Sequence, residues 1–82
     1  MTAIDEVKEE LFKARAKFAN QRSYHEGYAV ILEEVDELWD EVKTSTRGFT
    51  NTELIARKQR IRMEAIQVAA MAIRFVEDLC DN

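Results

Sequence analysis

The near absence of helix-breaking residues most constrains what this chain can fold into. Its 82 residues contain no proline, and Gly27 and Gly48 are the only glycines. A β-rich domain of this length needs many turns, and turns are built from glycine and proline. Helices need such residues only at their ends. The composition therefore predicts an all-α fold with few loops.

Three short motifs mark where helices should begin. They are Thr2-Ala-Ile-Asp5, Ser23-Tyr-His-Glu26 and Thr50-Asn-Thr-Glu53. In such a capping box, the hydroxyl and the acidic side chain satisfy backbone N–H groups of the first turn. With the apolar periodicity that follows each motif, they predict helices over about 3–20, 24–43 and 51–79. We expect these helices to form one domain over residues 1–82.

Apolar residues recur at spacings of three and four in each predicted helix. The stripe of the second helix consists of Tyr28, Leu32, Val35, Trp39 and Val42. We expect Trp39 to lie in the core. The third helix is apolar on two sides, since only Gln67 and Arg74 are polar within residues 65–76. Because three helices cannot surround such a helix, we expect an antiparallel three-helix bundle that is completed by oligomerisation.

Charge and cysteine content narrow the classes of function. The formal net charge is −4, which argues against binding of a nucleic-acid polymer. Cys80 is the only cysteine, so the chain forms no internal disulfide framework, which fits a reducing compartment. We find no signal-peptide core and no apolar run of membrane-spanning length. A cytoplasmic protein with no membrane partner is the expectation.

The stretch ILEEVDELWDEV, residues 31–42, contains six acidic residues. Most of them fall on the side of the helix opposite its apolar stripe, which is typical of a solvated face. Glu34 differs, because it lies at the edge of the polar arc near Ile31 and Leu38. A carboxylate at that edge tends to point along a groove between helices.

The third helix carries an acidic residue on an apolar face. Glu64 falls beside Val68 and between Met71 and Phe75, where an unpaired carboxylate is costly. A nearby arginine or a metal ion shared with the second helix would satisfy it. Gln67 lies one turn further on, just as Glu37 lies one turn after Glu34.

Two antiparallel helices thus present two pairs of oxygen-bearing side chains. Such a set suits Mg²⁺ or Mn²⁺ rather than zinc.

These residues carry a family resemblance. Glu33-Glu34-Val-Asp-Glu37 has the form E-E-x-x-E, and Glu64-Ala-Ile-Gln67 stands where a following E-x-x-D is expected. Over about residues 24–79 the chain resembles the MazG-like all-α nucleoside triphosphate pyrophosphohydrolases. The resemblance implies an enzyme that cleaves an NTP or dNTP to the monophosphate and pyrophosphate. It also implies a homodimer or homotetramer.

The resemblance also implies which residues form the site. The metal ligands for Mg²⁺, or Mn²⁺, are Glu34, Glu37, Glu64 and Gln67, and the catalytic residues are Glu33, Glu34, Glu37 and Glu64. Glu33 adds to the metal shell or takes the proton of the attacking water. Gln67 departs from the family pattern, because its carbonyl oxygen can coordinate a cation but brings no negative charge. We expect weaker metal binding as a result.

A metal ion alone cannot neutralise a triphosphate, so basic residues should contact the phosphates. The candidates are Lys43, Arg47, Arg57 and Arg60.

Two other functions stay open. One is a nucleotide-binding module with weak or no turnover, which Gln67 favours. The other is a helical oligomerisation protein without a ligand, for which the apolar third helix would suffice.

Overall fold

The computed structural model describes residues 1–81, which form three helices and no strand. The helices are α1 (Ala3–Lys17), α2 (Tyr24–Lys43) and α3 (Asn51–Leu79). At each N-terminus the capping hydroxyl accepts a hydrogen bond from the backbone N–H three residues on, from Asp5, Glu26 and Glu53. The all-α prediction and the bounds of α2 and α3 are confirmed. Only α1 differs, because it ends three residues before its predicted end.

Contacts with α3 end α1 early. Phe18 caps the helix in an extended conformation, with φ −123° and ψ 146°. Arg74 of α3 donates a hydrogen bond of 2.8 Å to the Ala19 carbonyl oxygen. The backbone N–H of Gln21 donates one of 3.0 Å to the Asp78 carboxylate. These bonds hold the linker extended along α3. They outweigh the apolar helical spacing, which continues as far as residue 18.

Helix α3 is the central element of the fold. Its 29 residues span about 43 Å at 1.5 Å per residue, close to the 48 Å long axis of the molecule. Both α1 and α2 pack on α3, and they do not pack on each other. A cleft therefore separates α1 from α2, and α3 forms its floor. No helix within residues 1–81 is long and apolar enough to cross a membrane.

Ion pairs along α3 define the direction of its neighbouring helices. Glu6, early in α1, bonds Arg62, and Arg15, near the end of α1, bonds Asp78 at 2.7 Å. On α2 the order is reversed, since Glu41 near its end bonds Arg60 at 3.1 Å. The three helices therefore run up, down and up, as an antiparallel bundle does.

Gly27 sets how closely α2 approaches α3. It is buried, and a Cβ atom at this position would lie 2.5 Å from Cδ2 of Phe75 and 2.7 Å from Cδ1 of Leu79. Gly48 serves a different need, because its φ of +81° is a left-handed conformation in the loop between α2 and α3. Gly27 is thus required by the close packing of α2 on α3, and Gly48 by the backbone conformation of the loop.

The outward face of α2 corrects a prediction. Trp39 is 57% exposed, so the expectation that it lies in the core is wrong for the single chain. The whole predicted stripe is exposed: Tyr28, Leu32, Val35, Trp39 and Val42. Helix α2 is rotated so that Gly27, Ile31 and Leu38 face α3 instead. We call the five exposed residues the outer stripe of α2.

Candidate metal centre

Three glutamates from two helices converge at the α2–α3 contact. Glu34 and Glu37 lie one turn apart on α2, and Glu64 comes from α3. One carboxylate oxygen from each of the three residues lies within 4.8 Å of the corresponding oxygens of the other two. The sequence predicted that these three residues meet, and the structure brings them together. Carboxylates this close repel one another unless a proton or a cation is shared among them.

Two oxygen atoms of this carboxylate cluster are buried without a partner. Oε2 of Glu34 and Oε2 of Glu64 accept no hydrogen bond from any residue within 1–81. Buried acceptors in folded proteins are normally satisfied, and an orphaned one costs free energy. Two such atoms, one from each helix, are what a cation between the helices would satisfy.

The arginines near Glu64 in sequence do not satisfy it. Arg57 donates to the Val42 carbonyl oxygen at 3.0 Å. The two others pair with different acids: Arg60 with Glu41 and Arg62 with Glu6. Of the two partners that the sequence left open for Glu64, the arginine is therefore excluded among the described residues.

The electrostatics of the cluster favour a bound cation. Burial, and then the charge of Glu37, raise the pKa of Glu34 to about 7. The same two causes, in the same order, raise the pKa of Glu64 above its usual range. Near neutral pH the metal-free cluster therefore retains a proton, which a divalent cation can replace. Carboxylate oxygens are the ligands that Mg²⁺ and Mn²⁺ prefer.

The other two predicted site residues flank the cluster. Gln67 is half-buried and lines a cavity of about 430 Å³ together with Glu34. Glu33 is exposed and lines a second cavity, of about 520 Å³, together with Glu34 and Glu37. Each therefore lines a cavity beside Glu34, and the metal-ligand role of Gln67 and the catalytic role of Glu33 stay predictions.

The two cavities adjoin each other, and we call them together the cleft. They share Phe18, Glu34 and Met71. Phe18 is the only aromatic residue that lines either cavity within residues 1–81. It is 54% exposed, and Lys17 and Arg74 lie over its ring, at 5.3 and 5.7 Å from the ring centroid. The cleft thus runs from the carboxylate cluster to an aromatic surface at the end of α1.

The basic residues of the cleft are not those that the sequence suggested. None of Lys43, Arg47, Arg57 and Arg60 lines either cavity. Lys43 pairs with Asp40, and the phosphate contacts predicted for these four residues stay predictions. The basic residues that do line the cleft are Lys13, Lys17, Arg22 and Arg74.

Sequence reasoning missed these residues because it started from the acidic motifs on α2 and α3. A signal existed, since Glu10, Lys13, Ala14 and Lys17 are spaced as one face of a helix.

Comparisons with known protein families, curated proteins and solved structures give no match to this chain. The MazG-like resemblance therefore stays a hypothesis.

Proposed function

We propose that this protein is a MazG-like, Mg²⁺-dependent nucleoside triphosphate pyrophosphohydrolase. One observation carries the proposal: three glutamates from two helices meet beside a cleft, and two of their buried oxygens lack partners. An acidic face that served only solubility would point its carboxylates into water. The arrangement is that of a divalent-cation site, and the adjoining cleft has the size of a small-molecule site.

The proposed roles follow from where each residue lies. Glu34, Glu37 and Glu64 hold the cation, and Gln67 adds its carbonyl oxygen. When bound, Mg²⁺ supplies charge neutralisation at the phosphate oxygens and an activated water. Glu33, which is exposed beside the cluster, would take the proton of the water that attacks the α-phosphorus. The bond from the α-phosphorus to the bridging oxygen breaks, which yields the monophosphate and pyrophosphate.

The cleft supports a nucleotide rather than a bare phosphate. Its 520 Å³ cavity is lined by Glu34 and Glu37 and also by Phe18. The partly exposed side chain of Phe18 would contact the base beside Lys17 and Arg74. A nucleoside triphosphate with its phosphates at the cluster reaches toward this ring. Since such substrates are cytoplasmic, the proposed activity would also place the protein in the cytoplasm.

One feature favours a second candidate, a nucleotide-binding module with weak or no turnover. Gln67 provides no negative charge at the fourth position of the site. Fewer charged ligands mean weaker cation binding. In this case the same cleft would hold a nucleotide without cleaving it.

We also propose that the protein is a homodimer or homotetramer. The outer stripe of α2 exposes five large apolar side chains along one helix face. A contiguous exposed apolar patch on a small domain marks an interaction surface. A second copy of the chain that covers it would supply the burial that Trp39 lacks in the single chain.

Pyrophosphate release from a panel of ribo- and deoxyribonucleoside triphosphates tests the activity. We expect pyrophosphate and monophosphate in equal amounts with Mg²⁺ or Mn²⁺, and neither product with chelator. Thermal stabilisation by Mg²⁺ and nucleotide without pyrophosphate release would favour the binding module. No response to metal or nucleotide from folded protein would reject both and leave an oligomerisation role.

A further inference from the structure

Helix α1 forms a basic wall of the cavity that Glu34 of the carboxylate cluster also lines. Its residues Glu10, Lys13, Ala14 and Lys17 line the 430 Å³ cavity. The same cavity is lined on its other sides by Glu34 of α2 and Gln67 of α3. Because α1 does not pack on α2, the space between this wall and the cluster stays open.

The two lysines of the wall differ in their partners. Lys17 forms no ion pair within residues 1–81, and its ammonium lies 5.3 Å from the centroid of the Phe18 ring. Lys13 pairs with Glu10 at 3.3 Å and with Glu9 at 3.6 Å. Glu10 therefore neutralises part of the positive charge of the wall. Lys17 provides most of the positive charge that remains available to a ligand.

A triphosphate at the cluster needs this charge. It carries more negative charge than a single divalent cation neutralises, and three glutamates on α2 and α3 already offset that cation. Further cations must therefore face the phosphates from another side. The lysines of α1 line the same cavity as Glu34, one of the three glutamates of the cluster.

We propose that Lys13 and Lys17 of α1 bind the phosphates of the nucleotide, on the side of the cleft opposite the metal ligands. This inference rests on the proposed function, because it takes the ligand to be a nucleotide. It assigns the phosphate contacts to a helix outside both acidic motifs, and not to the residues that the sequence suggested: Lys43, Arg47, Arg57 and Arg60. The polyphosphate then lies between α1 and α2, with its nucleoside toward Phe18.

The test compares wild-type protein with a Lys13→Gln/Lys17→Gln double variant. Lys8→Gln is the matched control, because Lys8 is an exposed lysine of α1 that does not line the cleft. Calorimetry measures the Kd for Mg²⁺ with an α,β-imido nucleoside triphosphate, which cannot be cleaved between its α and β phosphates. Titration with Mn²⁺ alone reports on the metal site, and kcat and KM are measured with a cleavable triphosphate.

We expect the double variant to bind the analogue at least about tenfold more weakly, with a matching rise in KM. Its Mn²⁺ affinity should equal that of the wild-type protein, and Lys8→Gln should change neither value. Analogue affinity in the double variant equal to that of the control would overturn the assignment. So would a wild-type protein that binds Mn²⁺ but no analogue.

The design separates this inference from the proposed activity. If wild-type protein binds the analogue but releases no pyrophosphate, the proposed hydrolase is wrong. The lysine assignment is then decided by the Kd values alone. Circular dichroism of each variant checks that α1 remains helical.

Discussion

Glu34 and Glu64 each keep a buried carboxylate oxygen at a place where an apolar side chain would be less costly. Among the described residues neither is paired with a basic side chain, although arginines lie within two turns of Glu64. A free-energy cost of this kind persists in proteins mainly where function needs it. At the residue scale, the cluster is therefore better explained by a ligand than by the stability of the fold.

The raised pKa of Glu34 predicts how the stability of the metal-free protein depends on pH. Its pKa is about 7 in the folded chain and 4.5 in an unperturbed carboxyl. Between these values the folded state binds more protons than the unfolded state, so stability falls as pH rises. We expect a lower melting temperature at about pH 8 than at about pH 5 in chelator. The Glu34→Gln variant should show a weaker decrease.

The titration of Asp78 does not hide the predicted loss of stability between pH 5 and pH 8. Burial alone would raise its pKa, but the Gln21 N–H and the Arg15 guanidinium outweigh burial and lower it. Its stabilising contribution is therefore lost only as pH falls below its ordinary value of 3.8. A melting temperature that rises between pH 5 and pH 8, or an equal slope in Glu34→Gln, would contradict the predicted charge state of the cluster.

Because Gln67 brings no negative charge to the cluster, we expect Gln67→Asp to increase the affinity for a divalent cation. A fourth carboxylate beside the cluster should tighten Mn²⁺ binding by roughly tenfold, because ligand charge sets affinity at oxygen sites. Gln67→Asn is the matched control, since it shortens the side chain equally without adding charge. Calorimetric titration measures both. Equal affinities in the two variants would mean that residue 67 is not a ligand.

At the scale of the helix, the sequence predicted where elements begin better than which way they face. The three capping boxes are local, so they located each N-terminus. The rotation of α2 is a tertiary property, because Gly27 and the apolar residues of α3 decide it. A helical-wheel projection of α2 alone predicts that Trp39 faces the core. The i, i+3 spacing of Glu34 and Glu37 was local and did predict the cluster, whereas the basic wall of α1 required the fold.

The close approach at Gly27 predicts an unusual response to alanine. In an unobstructed helix, glycine to alanine stabilises by about 0.5–1 kcal/mol. At this position the new Cβ would meet both Phe75 and Leu79, so we expect Gly27→Ala to destabilise by about 1–3 kcal/mol. Urea unfolding measures the change. Ala29→Gly, at an exposed position of the same helix, gives the ordinary propensity difference. A more stable Gly27→Ala variant would show that α2 is not packed this closely on α3.

At the scale of the molecule, three helices leave much apolar surface uncovered. The buried apolar residues of the single chain are few: Ile66, Ala70 and Met71. A core of this size gives marginal stability on its own. The composition predicted that the chain needs a partner subunit. It indicated α3 as the helix that the partner would cover, whereas the exposed outer stripe lies on α2.

The outer stripe predicts that one charged substitution disrupts assembly. We expect wild-type protein to be a dimer or tetramer by light scattering, and Trp39→Glu to be a monomer, because the substitution places a charge in the covered surface. Lys8→Glu, an exposed charge reversal on α1, should leave the mass unchanged. A monomeric wild-type protein at about 100 μM, well above an ordinary micromolar Kd, would refute the proposed assembly.

The cation site itself is tested most directly by calorimetric titration of metal-free protein with Mn²⁺ at about pH 8, above the Glu34 pKa of about 7. We predict one Mn²⁺ per chain for wild-type protein and for Asp36→Asn, which removes an exposed acid of α2 outside the cluster. Glu37→Gln and Glu64→Gln should lose binding and turnover, yet retain their helical content. If wild-type protein binds no Mn²⁺, or if the two cluster variants bind it as tightly as Asp36→Asn, the three glutamates do not form a metal site.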